Sequence, residues 1–262
     1  KIHSAKPRIL SSEFAGFINS QEQGAESVLG EFQLSSDSGI RFRTTPFDMA
    51  AATVFAEKYF GDFYSLAGID LGAAGSLTEP FSGETAGVIE IESSGLITEA
   101  VSCIKPEHKL SPEFLESEYI PWLLEAGQKM TGSYQSQYPY LMIEPVFVRA
   151  EKSTVSNIAV TGVEGRIPVF QPDGESVRIL KMPLRMAIMD SYMLLASDDV
   201  RMAVLIDRVA GLEPAPYKGP FVHMTMNLAK LLSLGAEMAP EGGKKYFDDI
   251  PDIGEIEYIA EL

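Results

Sequence analysis

The chain has 262 residues but one cysteine, Cys103, and three histidines, His3, His108 and His223. A single thiol excludes an intrachain disulfide framework. The histidines leave little material for a zinc site, because no two stand at helical or hairpin ligand spacing. Cations are scarce too: 21 Lys and Arg face 37 Asp and Glu, a formal net charge of −16. A field of that sign repels phosphate backbones and anionic headgroups, and no basic-aromatic motif offsets it, so no nucleic-acid partner is expected. No apolar run approaches the ~18–20 residues that cross a bilayer as a helix, so no transmembrane segment is expected in this chain.

Motifs of catalysis are missing as well. No G-x-S-x-G elbow occurs. The glycine-rich "GIDLGAAGSLTEPFSGE" lacks the G-K-[ST] ending of a phosphate loop and carries only acids nearby. It reads as an inter-element loop with room for a short helix. No catalytic residue and no cofactor are assigned. Cys103, inside "AVSCI", reads as a small buried hydrophobe. The chain opens "KIHSAKPRIL" without an initiator Met and is read as a processed or excised piece.

What is present is patterning. Residues 1–27 show little periodicity and form an uncertain N-terminal segment. "SVLGEFQLSSDSGIRFRTT" reads as a hairpin turning at "SSDSG". "PFDMAAATVFAEKYF" carries Phe47, Ala50, Ala51, Val54, Phe55 and Lys58 at helical spacing, with Thr45 as cap, Pro46 first and Gly61 as stop. "GVIEIESSGLITEAVSCI" is a second hairpin. "SPEFLESEYIPWLLEAGQKM" is a helix capped by Ser111 and kinked or split at Pro121. Between Tyr140 and Ala196 come strands "LMIEPVFVRAE", "NIAVTGVEG", "RIPVFQ" and "SVRILK", with "QPDGE" the strongest turn.

The stretch "PLRMAIMDSYMLLASDDVRMAVLIDRVAGLEP" gathers Asp and Ser densely enough to raise the question of chemistry. Each has a structural task. Asp190-Ser191 join two strands, Ser197 caps a helix, and Asp198 and Asp199 offset its positive end. "FVHMTM" is a further strand, Asn227 caps "LAKLLSL", and "EIEYIAEL" closes the chain as a strand. "VLGEFQLSS" near the start echoes "DIGEIEYIA" near the end, as two pairing strands or as the beginning of another similar unit would.

The expected class is α+β: antiparallel sheets built from hairpins, with three to four helices packed on one side. One domain over 1–262 is expected, with two sub-lobes, about 28–135 and 136–262, as the alternative. Met186, Met193, Met224 and Met226 are candidate ligand-binding residues, because thioethers adapt to apolar partners; a Met-lined core is the competing reading. His223, Asp248, Asp249 and Asp252 are candidate metal ligands, the acids joined by Glu255, although their spacing matches no calcium loop.

"FYSLAGIDLGAAGSLTEPFSGETAGVIEIE" and "MPLRMAIMDSYMLLASDDVRMAVLID" together resemble a family of poorly characterised bacterial envelope proteins with a domain of unknown function. The resemblance spans residues ~40–235. The family pairs a "GiDl…l…f.Ge" segment before a strand with a hairpin and helix, and Asp190-Ser191 stand here where it usually has an Asp-Gly turn. It implies an extracytoplasmic α+β domain with no established catalytic site, and it supplies no functional residues.

The expected function is thus a non-enzymatic binding or structural domain of a bacterial envelope protein, recognising a protein or an apolar ligand. The alternatives are a lipid or apolar-ligand carrier with a cavity of Met, Leu and Phe, and a hydrolase using dispersed carboxylates. The expected location is periplasmic or extracellular, tethered by a segment upstream of Lys1; a cytoplasmic location is the alternative.

Overall fold

The computed structural model describes residues 26–30, 32, 39–66, 71–92, 95–137, 139, 146–170, 177–213, 215–216, 222–230, 232–233 and 255–260. In chain order the elements are β1 (Glu26–Ser27), β2 (Ile40–Thr44), α1 (Met49–Leu66), α2 (Leu71–Thr78), β3 (Phe81–Glu92) and β4 (Gly95–Ile104). There follow α3 (Pro112–Phe114), a π-helical turn (Leu115–Tyr119), α4 (Ile120–Gln137), β5 (Phe147–Arg149), β6 (Ser153–Val155) and β7 (Ile158–Phe170). The last are β8 (Val177–Met189), β9 (Tyr192–Ala196), α5 (Asp199–Val209), β10 (Ala215–Pro216), β11 (Val222–Asn227) and β12 (Glu255–Ala260).

Ten strands form one sheet in the order β12-β11-β2-β3-β4-β9-β8-β7-β5, with β6 also on β7. β1 and β10 make a separate pair. The α+β architecture of antiparallel strands and helices is therefore the one expected, and the sheet draws strands from both halves of the chain. Hairpins β3–β4 and β8–β9 lie where the sequence puts them, the second closing through Asp190 at φ 50°. Between β6 and β7, Ser156 and Asn157 both take positive φ, 50° and 65°, which gives a two-residue connection the strands' own twist.

The joint between the halves is β9. It is antiparallel to β4 on one side and to β8 on the other. β9 is short, and past its end β4 and β8 meet directly, in parallel, at Gly95 and Lys181. A Cβ on Gly95 would stand 2.2 Å from the Lys181 carbonyl oxygen, so only glycine allows the strands to close there.

Alternation along the strands builds two cores, one on each face. Ala86, Val101, Cys103, Ala187, Leu194 and Ala196 point to the first face and meet Met202, Leu205, Ile206 and Val209 of α5. Phe81, Ile104, Val163, Met186, Ile188 and Met193 point to the second and meet Leu115 and Ile120. Helices thus pack on both faces rather than one, because the central strands are apolar on both sides. A central strand of this kind reads in sequence as a continuous apolar run and does not reveal that it has two coverings.

Several local expectations are corrected. β2 lies between β3 and β11, so its edges are taken and it forms no hairpin with the preceding run, of which residues 31 and 33–38 lie outside the described ones. "NIAVTGVEG" and "RIPVFQ" are one strand, β7, and "SVRILK" and "LRMAIM" are one strand, β8. "QPDGE" lies outside the described residues. α1 is capped by Asp48, which accepts from the backbone N–H of Ala50 (2.9 Å) and Ala51 (3.1 Å), three residues later than Thr45. It continues through Gly61; Ala50, Val54 (66% exposed) and Lys58 of the expected stripe are exposed, while Thr53 lies against α2 at Gly75. The glycine-rich segment holds α2 and the start of β3.

Pro121 does interrupt its helix, by a specific means. The π-helical turn ends just ahead of it, with the Ile120 N–H donating to the Leu115 carbonyl. A proline ring crowds the carbonyl four residues back, and a widened turn relieves that crowding without ending the helix. Ser111 stands at the cap position but makes no side-chain cap bond. Among the described residues no helix is long and apolar enough to cross a membrane.

Two glycine substitutions test this account in one urea titration. Gly95→Ala is expected to cost about 1–3 kcal/mol, the usual range for overpacking. Gly61→Ala, with open space around the new methyl group, is expected to gain about 0.5–1 kcal/mol. Equal stability of Gly95→Ala and the parent would refute the tight closure of β4 on β8.

Candidate functional site

All four candidate methionines lie on the second face. The strand registers line up Met224, Phe42, Gly87, Ala100, Leu195, Met186 and Thr161 in one row across seven strands. Met226 opposes Ile40 in the next row, and Met193 opposes Ser102 on the other side. Side chains directly opposite on a sheet share a face, so the row is continuous in space. At Gly87 a Cβ would stand 2.6 Å from the Phe42 ring, which lies over the glycine in its place.

The row changes character along its length. Met186 (1% exposed) and Met193 (9%) are sealed under the π-helical turn and α4, in a closed core with Leu115, Ile120 and Val163. Ile40, Phe42, Val222, Met224 and Met226, on β2 and β11, are only half-buried. The four methionines share one apolar face, and the sequence could not separate its filled end from its half-buried end.

Of the candidate metal ligands only His223 lies among the described residues. His223 Nε2 is 2.8 Å from Glu257 Oε1 on β12, a single surface hydrogen bond. Asp248, Asp249 and Asp252 lie outside the described residues, and among the described ones no group of three His, Cys, Asp or Glu could hold an ion.

The polar cluster around residues 190–199 is a set of fastenings. Asp198, not Ser197, is the cap of α5, accepting from the Arg201 N–H at 2.8 Å. Ser197 instead accepts from the Thr98 N–H (2.5 Å) and donates to the Thr98 carbonyl (3.2 Å), fixing the end of β9 to β4. Asp199 takes Arg185, whose guanidinium also donates to the Glu151 carbonyl and to Ser153. Glu99 on β4 receives Arg201 at 2.9 Å and Arg208 at 3.8 Å from α5. Glu116 receives Arg149 at 2.7 Å and Lys152 at 3.1 Å.

One feature escaped the sequence reading. Glu84 is buried (2% exposed) on the first face of β3. Its Oε1 accepts from the Ser27 hydroxyl at 2.5 Å and from the Leu29 N–H at 2.7 Å. The Cys103 thiol lies beside it, and burial first, then the Glu84 charge and hydrogen bond, push that thiol well above its ordinary range. Burial, with Cys103, Glu84 and Asp190 nearby, also raises the Tyr192 phenol. Cys103 is thus the buried small residue expected. "FSGETAG" carries no signal that its glutamate turns inward, because the partners come from a segment 57 residues away.

Asp199 gives a pH test. Burial would raise its carboxyl, but the Arg185 hydrogen bond, Ser153 and the Arg185 charge outweigh burial and hold it below the ordinary value. A carboxyl depressed on folding stabilises above its unfolded pKa, and that contribution is lost as pH falls through the folded value. Asp199→Asn is expected to cost about 0.5–1 kcal/mol at pH 7, a modest figure because the pair is partly exposed. The difference should vanish in acid, below the folded pKa; chemical denaturation across pH checks it.

No family model, no curated protein and no solved structure matches this chain.

Proposed function

We propose that the chain is a non-catalytic binding or structural domain of a bacterial envelope protein, on the extracytoplasmic side, recognising a protein or an apolar ligand. The observation that carries this is the row of apolar side chains on the second face, sealed by helices at β4, β9, β8 and β7 and, among the described residues, only half-buried at β2 and β11. Phe42, Met224 and Met226 there present one ring and two thioethers on a rigid ladder. Thioethers are polarizable and have three rotatable bonds, so such a surface fits an apolar partner of varied shape. The resemblance to envelope proteins supports the compartment, and the −16 net charge favours basic over anionic partners.

The test is a double substitution, Met224→Asp with Met226→Asp, beside a core control, Met186→Leu. Native mass spectrometry of the protein from its own cells reads bound lipid, and crosslinking in intact envelopes followed by affinity measurement reads a protein partner. The double variant is expected to weaken whichever partner is found at least tenfold, with the circular dichroism of the parent retained; the control should change binding less than twofold. A partner that binds the double variant as tightly as the parent would remove the reading. Bound lipid lost on substitution would make the domain an apolar-ligand carrier.

A further inference from the structure

Among the described residues only three large apolar side chains are exposed: Val54 on α1 (66%), and Val200 (77%) and Val204 (43%) on α5. The last two stand four residues apart and so share one face of the helix. That face is the outer one. Met202, Leu205, Ile206 and Val209 fill the first core from the opposite side of α5 and complete its core-facing stripe. A β-branched residue is also a poorer helix former than alanine. Val200 and Val204 therefore serve neither the core nor the helix. Asp207 continues the same face, exposed and without an ion-pair partner among the described residues.

The stripe is complementary to itself. Arg201 stands three residues before Val204, and Asp207 three residues after it. A second α5, turned antiparallel about a two-fold axis through Val204, sets Val204 against Val204. The Asp207 carboxylate of each copy then comes level with the Arg201 guanidinium of the other. Arg201 already holds Glu99 at 2.9 Å and Asp198 at 3.4 Å, but its side chain is 35% exposed and a guanidinium has five N–H donors. Val200 falls along the aliphatic stem of Arg208, whose head is tied to Glu99 at 3.8 Å. A parallel arrangement would set Asp207 against Asp207. Ala203, on the flank of the stripe, is small enough to let two helices approach closely.

We propose that the outer face of α5 docks a second copy of this chain, antiparallel and isologous, with Val200 and Val204 removed from water and Asp207 paired to the second copy's Arg201. One helix face is smaller than the ~1,200–2,000 Å² that stable complexes bury, so the association is weak, with a Kd of roughly 0.1 mM. Two copies at −16 each repel one another, and salt screens that repulsion. The stripe lies on the side of α5 away from the sheet, and the methionine row lies on the sheet's other face. This docking and the function proposed above therefore stand or fall separately.

Sedimentation of the intact chain up to about 1 mM, in about 0.5 M sodium chloride to screen the repulsion, reads the association. A monomer–dimer equilibrium is expected. Val200→Ser with Val204→Ser should weaken it at least about tenfold with the urea midpoint retained, while Val54→Ser on α1 should leave it unchanged. Asp207→Lys, facing Arg201, should weaken it about tenfold. Disulfide capture with oxidised glutathione reads the geometry, since the one native thiol, Cys103, is buried. Val204→Cys should cross-link into a dimer. Val200→Cys should not, because its two copies stand about 12 Å apart along the helix axes, past the reach of a disulfide. A chain that stays monomeric at about 1 mM overturns the proposal and leaves the stripe to a different partner. A dimer that survives the double serine substitution overturns it as well. Val200→Cys cross-linking as fast as Val204→Cys overturns the antiparallel register.

Discussion

The insertion of β9 between β4 and β8 is the constraint on which the rest of the architecture depends. β4 belongs to a hairpin formed by residues 81–104, and β8 to one formed by residues 158–189, so nothing local joins them. Five residues, Tyr192–Ala196, pair with both and turn two sheets into one. The end of β9 is fixed by Ser197 on both backbone groups of Thr98, and α5 then leaves across the first face with Arg201 and Arg208 on Glu99. Such long-range fastening is slow to find in folding, because loop closure is paid before the contacts that reward it. Once found, it fixes the register of every strand on either side.

That register decides the chemistry of the two faces. A shift of one residue in β9 would exchange Leu194 for Met193 and Leu195 and turn each core inside out. In the observed register the first face is small and closely packed at its centre, with Ala86, Ala187 and Ala196 beneath α5. The second carries the larger Met186, Ile188 and Met193 beneath α4 and the turn before it. Charged groups sit where they fasten elements: Arg185 ties the start of α5 to β8, and Glu116 ties the π-helical turn to Arg149 of β5. Glu84 and Arg43 stand apart from this pattern, because they hold a segment by its backbone and not by another charge.

Hairpin β8–β9 and helix α5 are legible because their signals are local: alternating apolar runs, an Asp-Ser turn and acids at the helix start. The cap moved by one residue, from Ser197 to Asp198, because the Ser197 hydroxyl is occupied by Thr98, 99 residues away in sequence. The β2 hairpin failed for a similar reason. Ile40–Thr44 alternates well, but alternation does not name the partner, and its edges went to β3 and β11. Of the candidate site, the methionines were legible as types and not as places.

The sequence by itself determined the α+β class, hairpins β3–β4 and β8–β9, the net negative charge and the apolar setting of Cys103, since composition and period act over a few residues. Tertiary structure alone decided that helices cover both faces, that the Met row is sealed at one end and, among the described residues, half-buried at the other, and that Glu84 grips Ser27 and Leu29. The physical reason is common to all three. Which face a side chain meets, and which edge a strand fills, depend on register between segments that the chain brings together only when it has folded.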